Sequence, residues 1–317
     1  MWEIKQGDAL SVLKTMPDQS INTCVTSPPY WGLRDYGVDG QLGLEPTPAE
    51  YVANLVEVFR EVKRVLRDDG TLWLNLGDSY ASVHTGGQKS PKSTVGSNMP
   101  GVQEIRQPKA RPQEYGLKDK DLVGIPWRVA FALQADGWYL RSDIIWHKPN
   151  AMPESVTDRP TKAHEYIFLL SKSPKYYYDA DSIKEPSSDL EKSKKRYEKP
   201  FGGKKAEELL KTNQVHTRPI GMREFDGKRN KRSVWTVPTQ PFPEAHFAVY
   251  PPALITPCIL AGCPIGGTVL DPFAGSGTTL LVATQHHRKS IGIELNPEYI
   301  EIAKRRLNSV QLKLVME

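Results

Sequence analysis

The sequence predicts an α/β protein, and three stretches carry that prediction. Residues 21–26 (INTCVT) form a short apolar run that stops at Ser27-Pro28-Pro29-Tyr30, as a buried strand stops at a turn. Residues 47–70 carry a helix signature with a start and a stop signal. Residues 268–293 read as a strand, a glycine-containing turn, a helix and a second strand.

Each element has a local reason. Two successive prolines cannot continue a central strand, so the chain turns after Thr26. Thr47 suits an N-cap, Pro48 the first helical position, and Glu50 completes a capping box. Val52, Leu55, Val58 (or Phe59), Val62 and Leu66 then follow helical spacing, with Gly70 expected to close the helix. Residues 71–76 (TLWLNL) read as a strand. Residues 81–117 show no periodicity and are rich in Gly, Pro, Ser and Gln, which marks a long loop. A helix is expected over 126–135 and strands over 139–147 and 164–171. Beyond the basic segment, 268–270 is a strand, 278–287 a helix and 291–293 a strand, and Asn296-Pro297 caps a last helix to about Leu307.

Composition narrows the class. The chain has 317 residues with 38% hydrophobic and 9% aromatic content, enough for a substantial core. Charge or Gly/Pro breaks every apolar run before the roughly 18 residues of a membrane helix. The opening residues lack the basic and apolar regions of a signal peptide, so a cytoplasmic protein without membrane association is expected. Three cysteines, Cys24, Cys258 and Cys263, are too few and too irregular for a disulfide framework or a zinc site, and no metal is expected. Net charge is +5, but residues 183–232 hold 15 Lys/Arg against 8 Asp/Glu, a balance of +7 that leaves the remainder at −2. Such a segment on a near-neutral body is either a solvated loop or the footprint of a phosphate-backbone partner.

Two constellations carry chemistry. Asp271-Pro272-Phe273-Ala274-Gly275-Ser276-Gly277-Thr278-Thr279 follows a strand and opens a helix. Glycines there let backbone approach a ligand, and the helix N-terminus supplies N–H donors. Gly277 is followed by Thr278 instead of Lys, so this is no Walker A loop. Alone, the turn reads first as a plain tight turn. Glu294 stands 23 residues after Asp271, the spacing at which an acid accepts from a ribose, and the pair points to a nucleoside cofactor. The second constellation is Thr26-Ser27-Pro28-Pro29-Tyr30 at the carboxyl end of a strand. The prolines fix the Pro28 carbonyl and the Ser27 hydroxyl, acceptors suited to an exocyclic amine, and Tyr30 offers a face on which an extruded base can stack. A Pro-Pro turn with a packed tyrosine is the plainer reading of that motif in isolation.

Together, TSPPY followed by DPFAGSGTT resembles the S-adenosylmethionine-dependent amino-methyltransferases of DNA, in the order that marks their β-type permutation. Gly7-Asp8 resembles that family's adenine-contacting acidic turn. Residues 70–80, Trp146-His147-Lys148-Pro149-Asn150 and His164-Glu165-Tyr166 resemble its target-side motifs. Residues 246–251 resemble the segment that closes over the methionine end. The resemblance implies a Rossmann-like methyltransferase fold, with a mixed, mostly parallel sheet that is circularly permuted, and a small target recognition region. The strand before Asp8 is then expected beside the Glu294 strand, which lies beside the Asp271 strand. Residues 1–180 would be the catalytic half, 181–234 the basic target recognition region and 235–317 the cofactor half.

By resemblance, Ser27, Pro28, Pro29 and Tyr30 are catalytic. Asp8, Asp271, Phe273, Gly275, Ser276, Gly277, Thr278 and Glu294 hold S-adenosyl-L-methionine. Lys194, Lys195, Arg196, Lys204, Lys205, Arg229, Lys231 and Arg232 meet double-stranded DNA, and residues 81–117 form a second DNA-facing arm or a disordered insertion. A companion restriction endonuclease is a partner such enzymes can have. Ser before Pro-Pro-Tyr is usual in cytosine-N4 members and Asp or Asn in adenine-N6 members, so N4 of cytosine is the expected target and adenine N6 the alternative. RNA or protein-glutamine methylation, and a non-catalytic DNA-binding protein of this fold, are further alternatives. Methylation at cytosine carbon-5 needs a thiolate, and Cys258 reads instead as a small buried residue.

Overall fold

The structure is a computed structural model that describes residues 1–33, 37–38, 40–82, 112–191, 194, 226–240 and 250–316. In chain order the elements are β1 (Trp2–Gln6), α1 (Ala9–Lys14), β2 (Ile21–Thr26), α2 (Pro48–Val65), β3 (Leu66–Leu76), α3 (Ile125–Ala135), β4 (Tyr139–His147) and β5 (His164–Ser171). There follow β6 (Glu185–Pro186), β7 (Lys228–Arg229), β8 (Val234–Thr236), α4 (Pro252–Gly262), β9 (Thr268–Asp271), α5 (Thr278–Gln285), β10 (Lys289–Glu294) and α6 (Pro297–Met316).

The main unit comprises Met1–Asp179 and Ser233–Glu317. Its eight described strands form one sheet in the order β1-β10-β9-β2-β3-β5-β4-β8. Only β5 runs against its neighbours; every other pairing is parallel. This is the mixed, mostly parallel sheet expected, and its permutation is explicit. β1 pairs with β10 from Trp2↔Ser290 to Gln6↔Glu294, and β10 pairs with β9. Strand order reverses at β9, with β10 on one side and β2 on the other, which makes a topological switch point at the carboxyl ends of these strands.

Parallel strands in the middle of a sheet are buried on both faces, as β2 and the inner part of β3 from Thr71 to Leu76 are. Their few polar side chains pair inside the sheet, as Thr23 Oγ1 does with Thr71 Oγ1 at 2.8 Å. Helix α2 starts as the capping box predicts, with the Glu50 amide donating to Thr47 Oγ1 at 3.2 Å. Its buried face of Tyr51, Leu55, Val58, Phe59, Val62 and Val65 covers the sheet. The helix does not run to Gly70. Leu66 is already extended and fully buried, and pairs with Ile21 as the first residue of β3. Burying a leucine side chain stabilises by roughly 1.5–3 kcal/mol, enough to end the helix there. Residues 67–69 lie exposed, and a register shift between Ile21 and Thr23 absorbs them. The last helix is longer than predicted, reaching Met316. Helix α4 is an addition: its sequence is apolar all round and contains Pro257, so no amphipathic period announces it.

The second unit comprises Ala180–Arg232. Its described part contains the short antiparallel pair β6–β7 with Glu185 opposite Arg229. Arg229 Nε donates to Glu185 Oε1 at 2.9 Å and its Nη1 to Ser188 Oγ at 2.8 Å. Lys184 pairs with Asp181 at 2.8 Å and Asp226 at 3.2 Å. Lys194 is exposed, whereas Lys195, Arg196, Lys204 and Lys205 lie outside the described residues, as does 83–111 of the predicted long loop. No helix among the described residues is long and apolar enough to cross a membrane.

Candidate active site

A cavity of about 430 Å³ opens where the carboxyl ends of β1, β10, β9 and β2 meet. Gly7 and Asp8, Ser27 to Tyr30, Phe273 to Ser276, Thr278 and Glu294 all line it. Residues from opposite ends of the chain thus face one space because the sheet order brings their strands together.

One end is built from the turn between β9 and α5. Gly275 takes φ +51°, and its N–H donates to Glu294 Oε2 at 2.8 Å. A Cβ placed on Gly275 would meet nothing, so the backbone is bare toward the open space. Gly277 serves differently. It caps α5 at φ +78°, and a Cβ there would sit 2.9 Å from the Ala303 Cβ of α6. The second glycine therefore lets two helices pack and does not line the cavity. Glu294 also accepts from the Asn296 amide at 2.8 Å; burial raises its carboxyl above the ordinary range, against the pull of these donors. Asp8 caps α1 by accepting from the Ser11 amide at 2.8 Å. Below the turn, Arg306 donates to Ser276 Oγ at 2.9 Å and Thr278 Oγ1 at 3.1 Å.

Asp271 is 1% exposed and lies behind the cavity wall. It accepts from Thr26 Oγ1 and Thr279 Oγ1, each at 2.6 Å, and from the Tyr250 hydroxyl and the Phe273 amide, each at 3.1 Å. Burial pushes its carboxyl up, and the four donors draw it back down. Its place is structural: it ties β2, α5 and the start of α4 to β9.

The other end is built from side chains on β3, β4 and β5 and in the turns that follow β2 and β4. Tyr30 donates its hydroxyl to Glu165 Oε2 at 2.7 Å, with Asn75 Oδ1 a second acceptor at 3.1 Å, and its oxygen accepts from Ser27 Oγ at 3.4 Å. Its ring lies against Gly77, where a Cβ would fall 2.5 Å from Cε2. Glu165 is ion-paired with Lys148, which stands 4.2 Å over the Trp146 ring. The Pro29 carbonyl accepts from the Tyr51 hydroxyl at 2.8 Å, while no described residue donates to the Pro28 carbonyl. Burial raises the Tyr30 hydroxyl well above its ordinary value, with the charge of Glu165 adding to it.

The structure thus brings the predicted Ser27–Tyr30, Asp8, Phe273, Gly275, Ser276, Thr278 and Glu294 together, and keeps Asp271 and Gly277 out of the cavity lining. Asn75, Trp146, Lys148, Glu165, Tyr250 and Tyr299 also line it and were not singled out as site residues. Asn75 carried a signal, since it is a polar residue within the apolar run Leu72–Leu76 of β3, whereas Glu165 stands beside His164 at the start of β5 and carried none. All three cysteines are buried free thiols; burial raises Cys24 well above its ordinary value and pushes Cys263 up to about 12, which leaves neither as a thiolate nucleophile. No group of three or more potential metal ligands occurs among the described residues.

Comparison with known proteins places this arrangement. The DNA methylase family profile matches residues 21–305. The type II methyltransferase M.Cfr9I of Citrobacter freundii is 49% identical over 311 residues, covering 98% of this chain and 89% of that protein. M.SmaI of Serratia marcescens, also a type II methyltransferase, is 48% identical over 95% of this chain and 89% of its own. Among solved structures, the cytosine-N4-specific PvuII DNA methyltransferase superposes with a TM-score of 0.62 at 19% identity, covering 98% of this chain and 90% of its own. The putative DNA modification methylase TTHA0409 of Thermus thermophilus, complexed with S-adenosyl-L-methionine, gives 0.58 at 24% identity over 98% and 96%. The two structural likenesses establish a shared fold, and the sequence matches establish kinship: the chain belongs to the DNA methylase family.

Proposed function

We propose that this methyltransferase transfers a methyl group from S-adenosyl-L-methionine to the exocyclic N4 amine of cytosine in duplex DNA, on a base rotated out of the helix. The observation that carries the reading is Ser27 and the Pro28 carbonyl, side by side at the end of β2 in the cavity, with no described donor to that carbonyl. Two fixed acceptors match the two hydrogens of an amine and leave its lone pair for bond formation. Ser27 at this position is the residue usual in the cytosine-N4 enzymes that the motif resembles.

The cavity fits the cofactor on its own evidence. Its volume falls within the roughly 300–1,000 Å³ of small-molecule sites. Glu294, at the end of β10, and Asp8, just beyond the neighbouring β1, supply acceptors suited to ribose hydroxyls and an adenine amino group. Phe273, Ile293 and Leu295 supply apolar wall, and the bare backbone at Gly275 beside the start of α5 suits the methionine portion. When bound, S-adenosylmethionine supplies an already activated methyl group. What remains for the protein is orientation: Ser27 and Pro28 hold the amine, and Tyr30, fixed through its hydroxyl and by Gly77, faces the base. The unit Ala180–Arg232 is the target recognition region in this reading, with its Lys and Arg side chains on DNA phosphates.

The test is a nucleoside digest. Unmethylated genomic DNA is incubated with the protein and S-adenosylmethionine, hydrolysed and read by mass spectrometry. N4-methylcytosine is the expected product. N6-methyladenine would keep fold and cofactor but overturn the role given to Ser27. No modified nucleoside, with cofactor binding intact, would move RNA and protein substrates to the front.

A further inference from the structure

A serine hydroxyl is ambiguous as an amine ligand, because it can donate as well as accept. Donation toward the amine nitrogen would occupy the lone pair that must form the new bond. We propose that Glu165 is a positioning residue that sets the hydrogen-bond polarity of Ser27, forcing its oxygen to act as an acceptor. The inference rests on the amine-methylation reading above, though not on which base carries the amine.

Glu165 is mostly buried, with 15% side-chain exposure, and is ion-paired with Lys148, so the ionised form has its counter-charge in place. An ionised carboxylate only accepts. The Tyr30 hydroxyl, 2.7 Å from Glu165 Oε2, must therefore point its single proton outward from Ser27. The other acceptor within reach is Asn75 Oδ1 at 3.1 Å, and it favours the same direction. The Asn75 amide is oriented by its own Nδ2, which donates to the Tyr166 carbonyl at 3.0 Å and to Glu165 Oε2 at 3.3 Å, so the oxygen faces Tyr30. With its proton committed, the Tyr30 oxygen can only accept from Ser27 Oγ at 3.4 Å. The Ser27 proton then points at Tyr30, and the Ser27 lone pairs are left for N–H donors. Burial also keeps Tyr30 in its protonated form, which preserves the relay.

A double-mutant cycle tests this. Wild type, Glu165→Gln, Tyr30→Phe and the double variant are compared for kcat, for cofactor affinity by calorimetry, and for melting temperature. A glutamine amide can donate to Tyr30 and reverse the chain, and a phenylalanine removes its middle link. Each single variant is expected to lower kcat roughly tenfold to a hundredfold with cofactor affinity unchanged. The double variant is expected to be no slower than either single one, because Glu165 acts through Tyr30. Additive losses would mean that Glu165 matters only as the partner of Lys148, and full turnover in either single variant would equally overturn the proposal. Should Glu165→Gln not fold, Tyr30→Phe leaves the Lys148–Glu165 pair in place and carries the cycle with Ser27→Ala, with non-additivity again expected and additivity contradicting. A wild-type enzyme that forms no methylated nucleoside overturns the parent reading instead, before any variant is made.

Discussion

The two ends of the cavity are built by opposite means. The cofactor end uses Pro272 to Ser276 and Thr278 with Glu294 and Asp8, and works largely through backbone: a bare glycine, a helix start and two amides that orient a carboxylate. The target end gathers side chains on β3 and β5 and just beyond the ends of β2 and β4, so that Ser27, Tyr30, Asn75, Lys148 and Glu165 form one network of residues distant in the chain. A backbone-built end depends on turn geometry and tolerates most side-chain chemistry around it. A side-chain network fails when one member changes. The two should therefore be separable by mutation, except where Asp271 joins them.

Asp271→Ala is expected to have the largest effect and to damage both ends at once. It takes the partner from the buried Thr26 hydroxyl and the Phe273 amide and leaves Thr279 and Tyr250 with only each other and the Val25 carbonyl, at a cost of about 3 kcal/mol or more in unfolding free energy. Denaturant unfolding checks the magnitude; a loss confined to cofactor affinity in a fully stable protein would return Asp271 to the role of a cofactor ligand. Gly77→Ala comes next and should touch the target end alone. Its Cβ would lie 2.5 Å from Tyr30 Cε2, so the ring must shift, and turnover is expected to fall about tenfold with cofactor affinity intact. A matching loss of cofactor affinity would show that the ends are not separable.

A pH measurement sharpens the cofactor end. Burial raises Glu294 above its ordinary value of 4.5, so the folded state holds this proton more tightly than the unfolded chain. The resulting stabilisation is present below pH 4.5 and is lost as pH rises through the raised value. The unfolding free energy of wild type minus that of Glu294→Gln should therefore fall between acid and neutral pH, while Asp271, raised in both proteins, cancels. A difference that is flat or rises with pH contradicts the burial argument. The smallest effect is expected outside the cavity. Lys231→Ala should weaken DNA binding evenly across sequences and lower the slope of log affinity against log salt by about one. A sequence-dependent loss would instead assign Lys231 to base readout.

The same contrast explains what could be read in the chain beforehand. The cofactor end was legible because its chemistry is local: the turn and helix start are contiguous, and the glutamate follows Asp271 by 23 residues in the same strand-helix-strand unit. Ser27 to Tyr30 was legible for the same reason. Asn75, Lys148 and Glu165 were noticed only within motif-like stretches, since their meaning arises from strand pairing that places β5 between β3 and β4. Gly70 misled because a glycine after an apolar helical face looks like a stop, yet tertiary burial of Leu66 ended the helix sooner. Helix α4 had no period to read, being apolar all round, and β1, with Glu3, Lys5 and Gln6 among its five residues, is expected only through the family resemblance. In the basic segment the charge was plain, but a long-range pair such as Glu185 and Arg229 could not be inferred from charge.

The division of the cavity is tested most directly by one paired measurement: cofactor affinity by calorimetry and single-turnover methylation for Ser27→Ala and Glu294→Ala. Ser27→Ala should retain cofactor affinity and lose methyl transfer by roughly a hundredfold, as when one oriented group is removed from a preorganised site. Glu294→Ala should lose cofactor affinity and recover much of its transfer rate at saturating cofactor. Equal loss of cofactor affinity in both variants would contradict the account.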